Sequence, residues 1–502
     1  MKRVLIANRG EIAVRVTRTL QQMGLVACAL YSEVDKEALH AHLADEAYAL
    51  GGTTSLESYL NQDKVLALCK QHQIDAVHPG YGFLSENAGF ARKCAEQGII
   101  FIGPSPEVID AMGDKLHAKE TMVKAGVPVV PSFNPTGETS PEEYAREAEK
   151  IGYPILVKAA AGGGGKGMRR VERAEELADS LESAQNEARK AFGDGRVFLE
   201  KYLANPRHIE IQIFGDQHGN VVHLGERECS IQRRYQKVIE EAPSPAVSAE
   251  LRKEMGETAC RAARALNYSN AGTMEFLLDE AGSFYFLEVN TRLQVEHPIT
   301  ECVYDVDLVR AQIQVARGEQ LPFRQEDLTP RGWALECRLY AEDPGRNFLP
   351  CTGTLAVYEP PSGPGIRCDS GVQQGSTISV HYDPMLAKLV AFGHDREEAR
   401  QRMVWALAHF PVLGLRHNLP YLKAVLEHPE FVAGHTHTHF LQQHSIDTGS
   451  SHVPKSALVA LAHHLQSQKP ATLAQAGRQS SPFQELGNWR LMEPANGTRN
   501  PS

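Results

Sequence analysis

The chain opens on two interleaved periods. "RVLIAN" (residues 3–8) and "LVACALYS" (25–32) are short, nearly unbroken apolar runs, and between them Glu11 to Met23 carries apolar side chains at helical spacing. A β-α-β unit follows from that alternation, and "DAVHPGY" and "GIIFIGPS" extend the series. The first hundred or so residues are expected to form a doubly wound α/β domain. "NRGE", at the first strand-to-helix turn, lacks G-x-G-x-x-G and gives NAD binding little support.

From about 131 to 203 the pattern predicts a compact α/β insert containing "YPILVKAAAGGGGKGMRRV". Strands "HIEIQIFGD" and "VVHLGERE", a helix from roughly Glu250 to Leu266, and the strand pair "GTMEFLLDEAGSFYFLEVN" come next. "EVNTRLQVEHP" (288–298) reads as one extended strand, whose alternation puts Glu288, Asn290, Arg292, Gln294 and Glu296 on one side. "RGWALECRLYAEDP" begins a mixed, strand-rich region to about Leu441. Beyond it Gln, Ser, His, Thr and Pro dominate, so a linker or disorder is expected, with one short helix in "SALVALAHHLQSQ".

Length and charge narrow the reading. At 502 residues, about three domains are expected. A net charge of −10 without any Lys/Arg block excludes a nucleic-acid or anionic-membrane surface as the main partner. Nine scattered cysteines with no C-x-x-C pair are expected to be reduced and mostly buried. The N-terminus enters a strand at once, leaving no room for a targeting peptide, and no apolar run approaches the roughly 20 residues of a membrane span. A soluble, cytoplasmic protein is expected.

Three stretches carry chemistry. "AGGGGKGM" leaves backbone N–H groups free to close over a polyphosphate, with Lys158 and Lys166 as counter-charge; it is not a Walker A loop, because Gly167 follows Lys166. Glu275 and Glu288 lie on adjacent strands joined by "DEAGS", so a hairpin would aim both carboxylates at a Mg²⁺ bridging nucleotide phosphates. The polar residues of "EVNTRLQVEHP" suit a cation at one end and an oxyanion at the other. Two others say less. "ERECSIQRRYQKVIEEAP" has the mixed charge of a solvated face, and the alternating His435, His437 and His439 read as exposed strand histidines rather than a metal site.

Taken together, "IANRGEIAVRV", "HPGYGFLSEN", "FIGPSPEVIDAMGDK", "GGGGKGM", "EKYLANPRHIEIQI", "ERECSIQRR", "KVIEEAPSP" and "EVNTRLQVEHPITE" resemble the biotin carboxylases of the ATP-grasp superfamily over about residues 1 to 445. The resemblance implies an α/β (α+β) chain: a pre-ATP-grasp domain over 1–114, an ATP-grasp domain over 115–330 with its glycine-rich lid at about 131–203, a mixed β domain over 331–441, and a tail over 442–502.

Residue by residue, the resemblance assigns Lys115, Lys158, Gly163, Gly164, Gly165, Lys166, His208 and Gln232 to ATP, with Glu200, Lys201 and Leu203 around the adenine. Glu275, Glu288 and Asn290 would hold Mg²⁺ or Mn²⁺. Arg292, Gln294 and Val295 would cradle bicarbonate beside Lys237, Glu296 would be the general base, Arg338 would stabilise the biotin enolate, and Tyr81 would line the biotin pocket. Tyr235 stands where many relatives have a histidine, which removes a titratable imidazole beside the nucleotide.

"RLYAEDP" and "SPFQELGNWRL" look like acyl-CoA carboxylase α subunits of the 3-methylcrotonyl-CoA or geranyl-CoA type, with acetyl- and propionyl-CoA enzymes as alternatives. The implied partners are a biotin carboxyl carrier domain and a carboxyltransferase β subunit, in a homo-oligomer or an α/β hetero-oligomer. No M-K-M motif is present, which suggests a truncated α subunit that lacks its biotinyl region. Two other classes share parts of this pattern: an ATP-grasp amide or peptide ligase, and a non-catalytic nucleotide-binding subunit.

Overall fold

β1 (Arg3–Ile6) and β2 (Val26–Tyr31) bury Val4, Leu5, Ile6, Ala27, Cys28 and Leu30 completely. Strands apolar on both faces need cover on both, which parallel sheets obtain from crossover helices such as Gly10–Gln22. With β3 (Glu46–Ala49), β4 (Ala76–His78) and β5 (Ile100–Phe101), they form a five-stranded parallel sheet in the order β3-β2-β1-β4-β5. The order reverses between β1 and β4, and ligands of such sheets bind at the strand ends there. Asn8 ties the two loops of that crevice together, its amide donating to Pro79 O at 2.8 Å and Tyr81 O at 2.7 Å. Gly80 permits the approach: at φ +63°, a Cβ would lie 2.8 Å from Asn8 Nδ2.

The computed structural model describes the chain apart from residues 114, 136, 138, 160–167, 193–194, 448–458, 461 and 464–502, and apart from the side chains of 115–117 and 191–192. Gly163 to Lys166, the Lys115 side chain and most of the expected tail lie outside the described residues. The chain divides into two units, Met1–Gly449 and Ser450–Ser502; in the second, residues 459–460 and 462–463 are helical and exposed.

The expected insert is a small antiparallel sheet, β6 (Ser132–Phe133), β7 (Ile155–Ala159), β8 (Met168–Val171) and β9 (Val197–Lys201), in the order β6-β9-β7-β8. Helices Pro141–Ile151 and Leu177–Phe192 accompany it, and Tyr144, Ile155, Val157, Leu181 and Leu199 form its core.

The third sheet organises the candidate site. β10 (Arg207–Gly215), β11 (Val221–Arg233), β12 (Gln236–Ala242), β13 (Asn270–Leu278), β14 (Phe284–Asn290) and β15 (Trp333–Tyr340) join the strands Met385–Gly393 and Ile366–Ser370. All are antiparallel, ordered β14-β13-β10-β11-β12-β15, then Met385–Gly393 and Ile366–Ser370. The sheet runs unbroken across positions 330 and 331, because β12 pairs with β15 through Glu240–Glu336 and Ile239–Cys337.

Three expectations need correction. The strand read through "EVNTRLQVEHP" ends at Asn290; a loop follows, and Glu296 stands at the N-cap position of the helix His297–Tyr304, whose early Pro298 suits a first helical turn. The charged run "ERECSIQRRYQKVIEEAP" is not a solvated face: Arg227, Glu228, Glu240 and Glu241 are buried on central strands. The histidines of "AGHTHTHFL" lie in loop and turn before the short helix Phe440–Gln443 rather than in a strand.

Candidate active site

A row of ionic residues crosses four strands in register: Glu288 lies opposite Glu275, Glu275 opposite Glu210, and Glu210 opposite Arg227. Three directly opposed carboxylates repel one another, so the row is stable only with cations over it. Lys237, from β12, supplies one. Its ammonium lies 2.5 Å from Glu210 Oε2, 2.9 Å from Glu275 Oε1 and 2.7 Å from Glu296 Oε1. Arg227, wholly buried, supplies the other, reaching Glu210 Oε1 at 2.5 Å, Gln212 Oε1 at 2.8 Å, Thr300 Oγ1 at 2.9 Å and Gln294 Oε1 at 2.7 Å.

The loop after β14 folds back over this row. Gln294 Nε2 and Asn290 Nδ2 both donate to Glu275 Oε1 at 2.8 Å, and His208 Nε2 faces Glu275 Oε2 at 2.9 Å. Gln232 turns its amide to His208 Nδ1 at 2.8 Å, which leaves the imidazole proton on the nitrogen facing Glu275. Glu296 is gripped twice, by Lys237 and by Arg338 Nη2 at 2.9 Å; Arg338 Nε also donates to Glu240 Oε1 at 2.6 Å. Arg292 stands apart from that grip, its Nε on Glu86 Oε2 at 2.8 Å and Nη2 on Asn290 Oδ1 at 2.8 Å.

Burial and charge oppose each other here. Burial would push Glu296 up, but Lys237, Arg338 and Arg227 outweigh it and hold the carboxyl well below the ordinary range. Glu275 behaves alike, its burial outweighed by Lys237 and His208. For Glu240 burial wins over Arg338, and the group is pushed up to about 7.

The remaining predicted residues fall into two neighbourhoods. On the small sheet Lys158 Nζ pairs with Glu200 Oε2 at 2.5 Å, while Lys201 Nζ donates to Gly152 O at 2.6 Å; Leu203 follows in the loop after β9. Tyr81 lies at the crevice of the parallel sheet, donating to Glu11, and the carbonyl of Val295 accepts from Lys388 at 2.7 Å. Tyr235 is 76% exposed at the β11–β12 turn, where it and Arg234 take φ of 64° and 51°.

Glu275 and Glu288 bring hard carboxylate oxygens from facing strands, with Asn290 alongside, a donor set that fits Mg²⁺. A cavity of about 270 Å³ opens beside Glu288 and Asn290, lined also by Glu86, Met112 and Thr291. Sequence reading missed Glu210, Arg227, Glu240, Glu86, Glu11 and Lys388. One signal was available for Glu210: in "HIEIQIFGD" it shares a strand face with His208 and Gln212.

Three family models match the chain: "Biotin carboxylase, N-terminal domain" over residues 1–109, "Carbamoyl-phosphate synthase L chain, ATP binding domain" over 114–324, and "Biotin carboxylase C-terminal domain" over 336–443. The methylcrotonoyl-CoA carboxylase subunit alpha of Mus musculus is 49% identical over 452 residues, covering 90% of this chain but only 63% of that protein. The biotin carboxylase of Nostoc sp. is 50% identical over 441 residues, 88% of this chain and 98% of that one. Among solved structures, the biotin carboxylase domain dimer of Hydrogenobacter thermophilus 2-oxoglutarate carboxylase, in complex with MgADP, ADP and bicarbonate, superposes with a TM-score of 0.81 at 47% identity, covering 88% of this chain and 97% of that one.

Proposed function

The chain belongs to the biotin carboxylase family, and on that footing we propose that it uses MgATP and bicarbonate to carboxylate biotin borne on a carrier domain. The observation that carries this reading is the double grip on Glu296: a buried, ionised carboxylate between Lys237 at 2.7 Å and Arg338 at 2.9 Å. An amide ligase would share the lysines and metal carboxylates but leaves the coupling of Glu296 to Arg338 unexplained, and a non-catalytic subunit leaves Glu296, Arg292 and Arg338 together without a task.

Each residue then has a task. Lys115, Lys158, His208 and Gln232 bind the nucleotide, with Gly163, Gly164, Gly165 and Lys166 closing over its phosphates and Glu200, Lys201 and Leu203 beside the adenine. Glu275 and Glu288, with Asn290, hold Mg²⁺, which neutralises phosphate charge when bound. Arg292, Gln294, Val295 and Lys237 hold bicarbonate. Glu296 takes its proton as the oxygen attacks the γ-phosphate. A carboxylate held ionised is a weak base, so the cations around the anion must acidify that proton. ADP leaves as the new P–O bond forms, the carboxyphosphate breaks down to CO₂ and phosphate, and the ureido nitrogen of biotin, its proton passing to the released phosphate, bonds to that CO₂. Arg338 steadies the negative oxygen of deprotonated biotin, and Tyr81 lines its pocket.

The reaction is read as the first half of an acyl-CoA carboxylase, with 3-methylcrotonyl-CoA as the favoured acceptor because of the mouse relative. A separate carboxyltransferase β subunit would choose that acceptor, which is why a plain biotin carboxylase is equally similar. We further propose a homo-oligomer or α/β assembly. The nine free cysteines fit a reducing compartment such as the cytoplasm, and among the described residues no helix is long and apolar enough to cross a membrane.

ADP release from MgATP, measured without and with bicarbonate and then with free biotin, tests the proposal. Turnover that needs bicarbonate and rises with biotin supports it. Turnover indifferent to both, or dependent on an amine acceptor, returns the chain to the ligase reading.

A further inference from the structure

Arg338 and Lys388 face each other directly across the antiparallel pair of β15 and Met385–Gly393. Two cations so opposed repel unless each has its own partner. They find partners on consecutive residues: Arg338 holds the carboxylate of Glu296, while Lys388 Nζ donates to the carbonyl of Val295 at 2.7 Å. Glu296 is the N-cap of the helix His297–Tyr304 but makes no capping hydrogen bond, so that local anchor for the loop is missing.

Lys388 is wholly buried, with Glu11 Oε2 3.3 Å away. Glu11 in turn accepts from the Tyr81 hydroxyl. One ammonium therefore joins the first helix of the parallel sheet, a strand of the large sheet and the loop bearing Glu296. On the same face, Glu336 is buried with carboxylate oxygens that accept no hydrogen bond from the described residues, and burial raises it well above the ordinary range. A buried neutral acid gives Lys388 no counter-charge; that comes from Asp369, directly opposite it across the pair Met385–Gly393 and Ile366–Ser370 and, against its burial, held low by Arg367 and Lys388, with Glu11 the carboxyl nearest on the helix side.

We propose that Lys388 is a positioning residue: it fixes the Val295 carbonyl, and thereby where the Glu296 carboxylate stands relative to bicarbonate and to the Tyr81 side of the site. This rests on the biotin carboxylase reading of Glu296. The lysine touches no reacting atom; it acts through one backbone bond.

The test compares Glu11→Gln with the double variant Lys388→Met/Glu11→Gln, which removes the ammonium together with the Glu11 carboxyl beside it and leaves Asp369 its partner Arg367. Glu11→Gln keeps the bond to Val295 and is expected to lose less than about fivefold in kcat for bicarbonate- and biotin-dependent ADP release. The double variant is expected to lose about 100-fold in kcat, the cost of a misplacement of about 1 Å, with KM for MgATP within about twofold of wild type. A double variant as active as Glu11→Gln overturns the proposal. So does one whose kcat and MgATP binding collapse together, or one that fails to fold while Glu11→Gln folds, since Lys388 would then serve stability alone. Wild type run alongside separates the two readings: no bicarbonate-dependent turnover there overturns the function itself.

Discussion

Lys237 Nζ and Glu296 Oε1 lie 2.7 Å apart, and the same ammonium reaches Glu275 at 2.9 Å. One lysine thus ties the proposed base to the proposed metal carboxylate. Glu296→Gln keeps the size and removes the charge. It is expected to lower bicarbonate-dependent ADP release by about 10²–10⁴-fold, the usual worth of a general base, while MgATP affinity by calorimetry stays within a few-fold. Full activity in this variant would remove Glu296 from the mechanism.

The metal assignment has a separate readout. Glu288 faces Glu275 from β14 but is absent from the buried group His208, Glu210 and Glu275 that could also ligate an ion. Glu288→Gln is expected to raise the Mg²⁺ concentration for half-maximal turnover at least tenfold. An unchanged Mg²⁺ titration would shift the metal to that other group.

Arg227 is the structural counterpart of these catalytic charges. It is 0% exposed and bonds Glu210, Gln212, Thr273, Gln294 and Thr300. Removing one member of such a network strands the others. Arg227→Met is expected to cost about 3–5 kcal/mol of stability, read as a lowered urea midpoint; a loss under about 1 kcal/mol would mean that water reaches the freed partners.

The pH dependence of stability follows from opposed groups. Burial pushes Glu11 and Glu240 up to about 7 from an ordinary 4.5. Their contribution is complete below about 4.5 and is lost as pH rises through about 7. Glu275 and Glu296 are held low, so theirs is present above about 4.5 and lost on acidification. The urea midpoint should therefore fall as pH is raised from about 6 to 8, and Glu11→Gln/Glu240→Gln should flatten that fall. A slope unchanged in the double variant would place the titration elsewhere.

How far the site was legible depended on the range of each contact. The Glu275–Glu288 pair was readable because "DEAGS" closes a local hairpin, and turn chemistry with strand period sets such a register. The run "EVNTRLQVEHP" misled because its alternation is genuine as a pattern, yet the chain leaves the sheet after Asn290; Pro298 was the local sign of a helix start. Buried charges misled in the opposite direction. Arg227, Glu240 and Lys388 share their strand faces with Gly225 and Cys229, Val238 and Ala242, and Leu386 and Val390, a local hint of burial; nothing local names the distant charge that compensates each.

By itself, then, the order of residues determined the parallel first domain, the small inserted sheet, the hairpin and the motifs that mark the family, all of which rest on turns and periods within a few residues. Only tertiary structure decided that Glu210, Arg227, Lys237 and Glu296 share one buried cluster, and that Lys388 reaches Val295 across 93 positions of chain. The physical reason is desolvation: a buried charge persists only where partners from distant segments compensate it, and that pairing exists only once the large sheet has assembled.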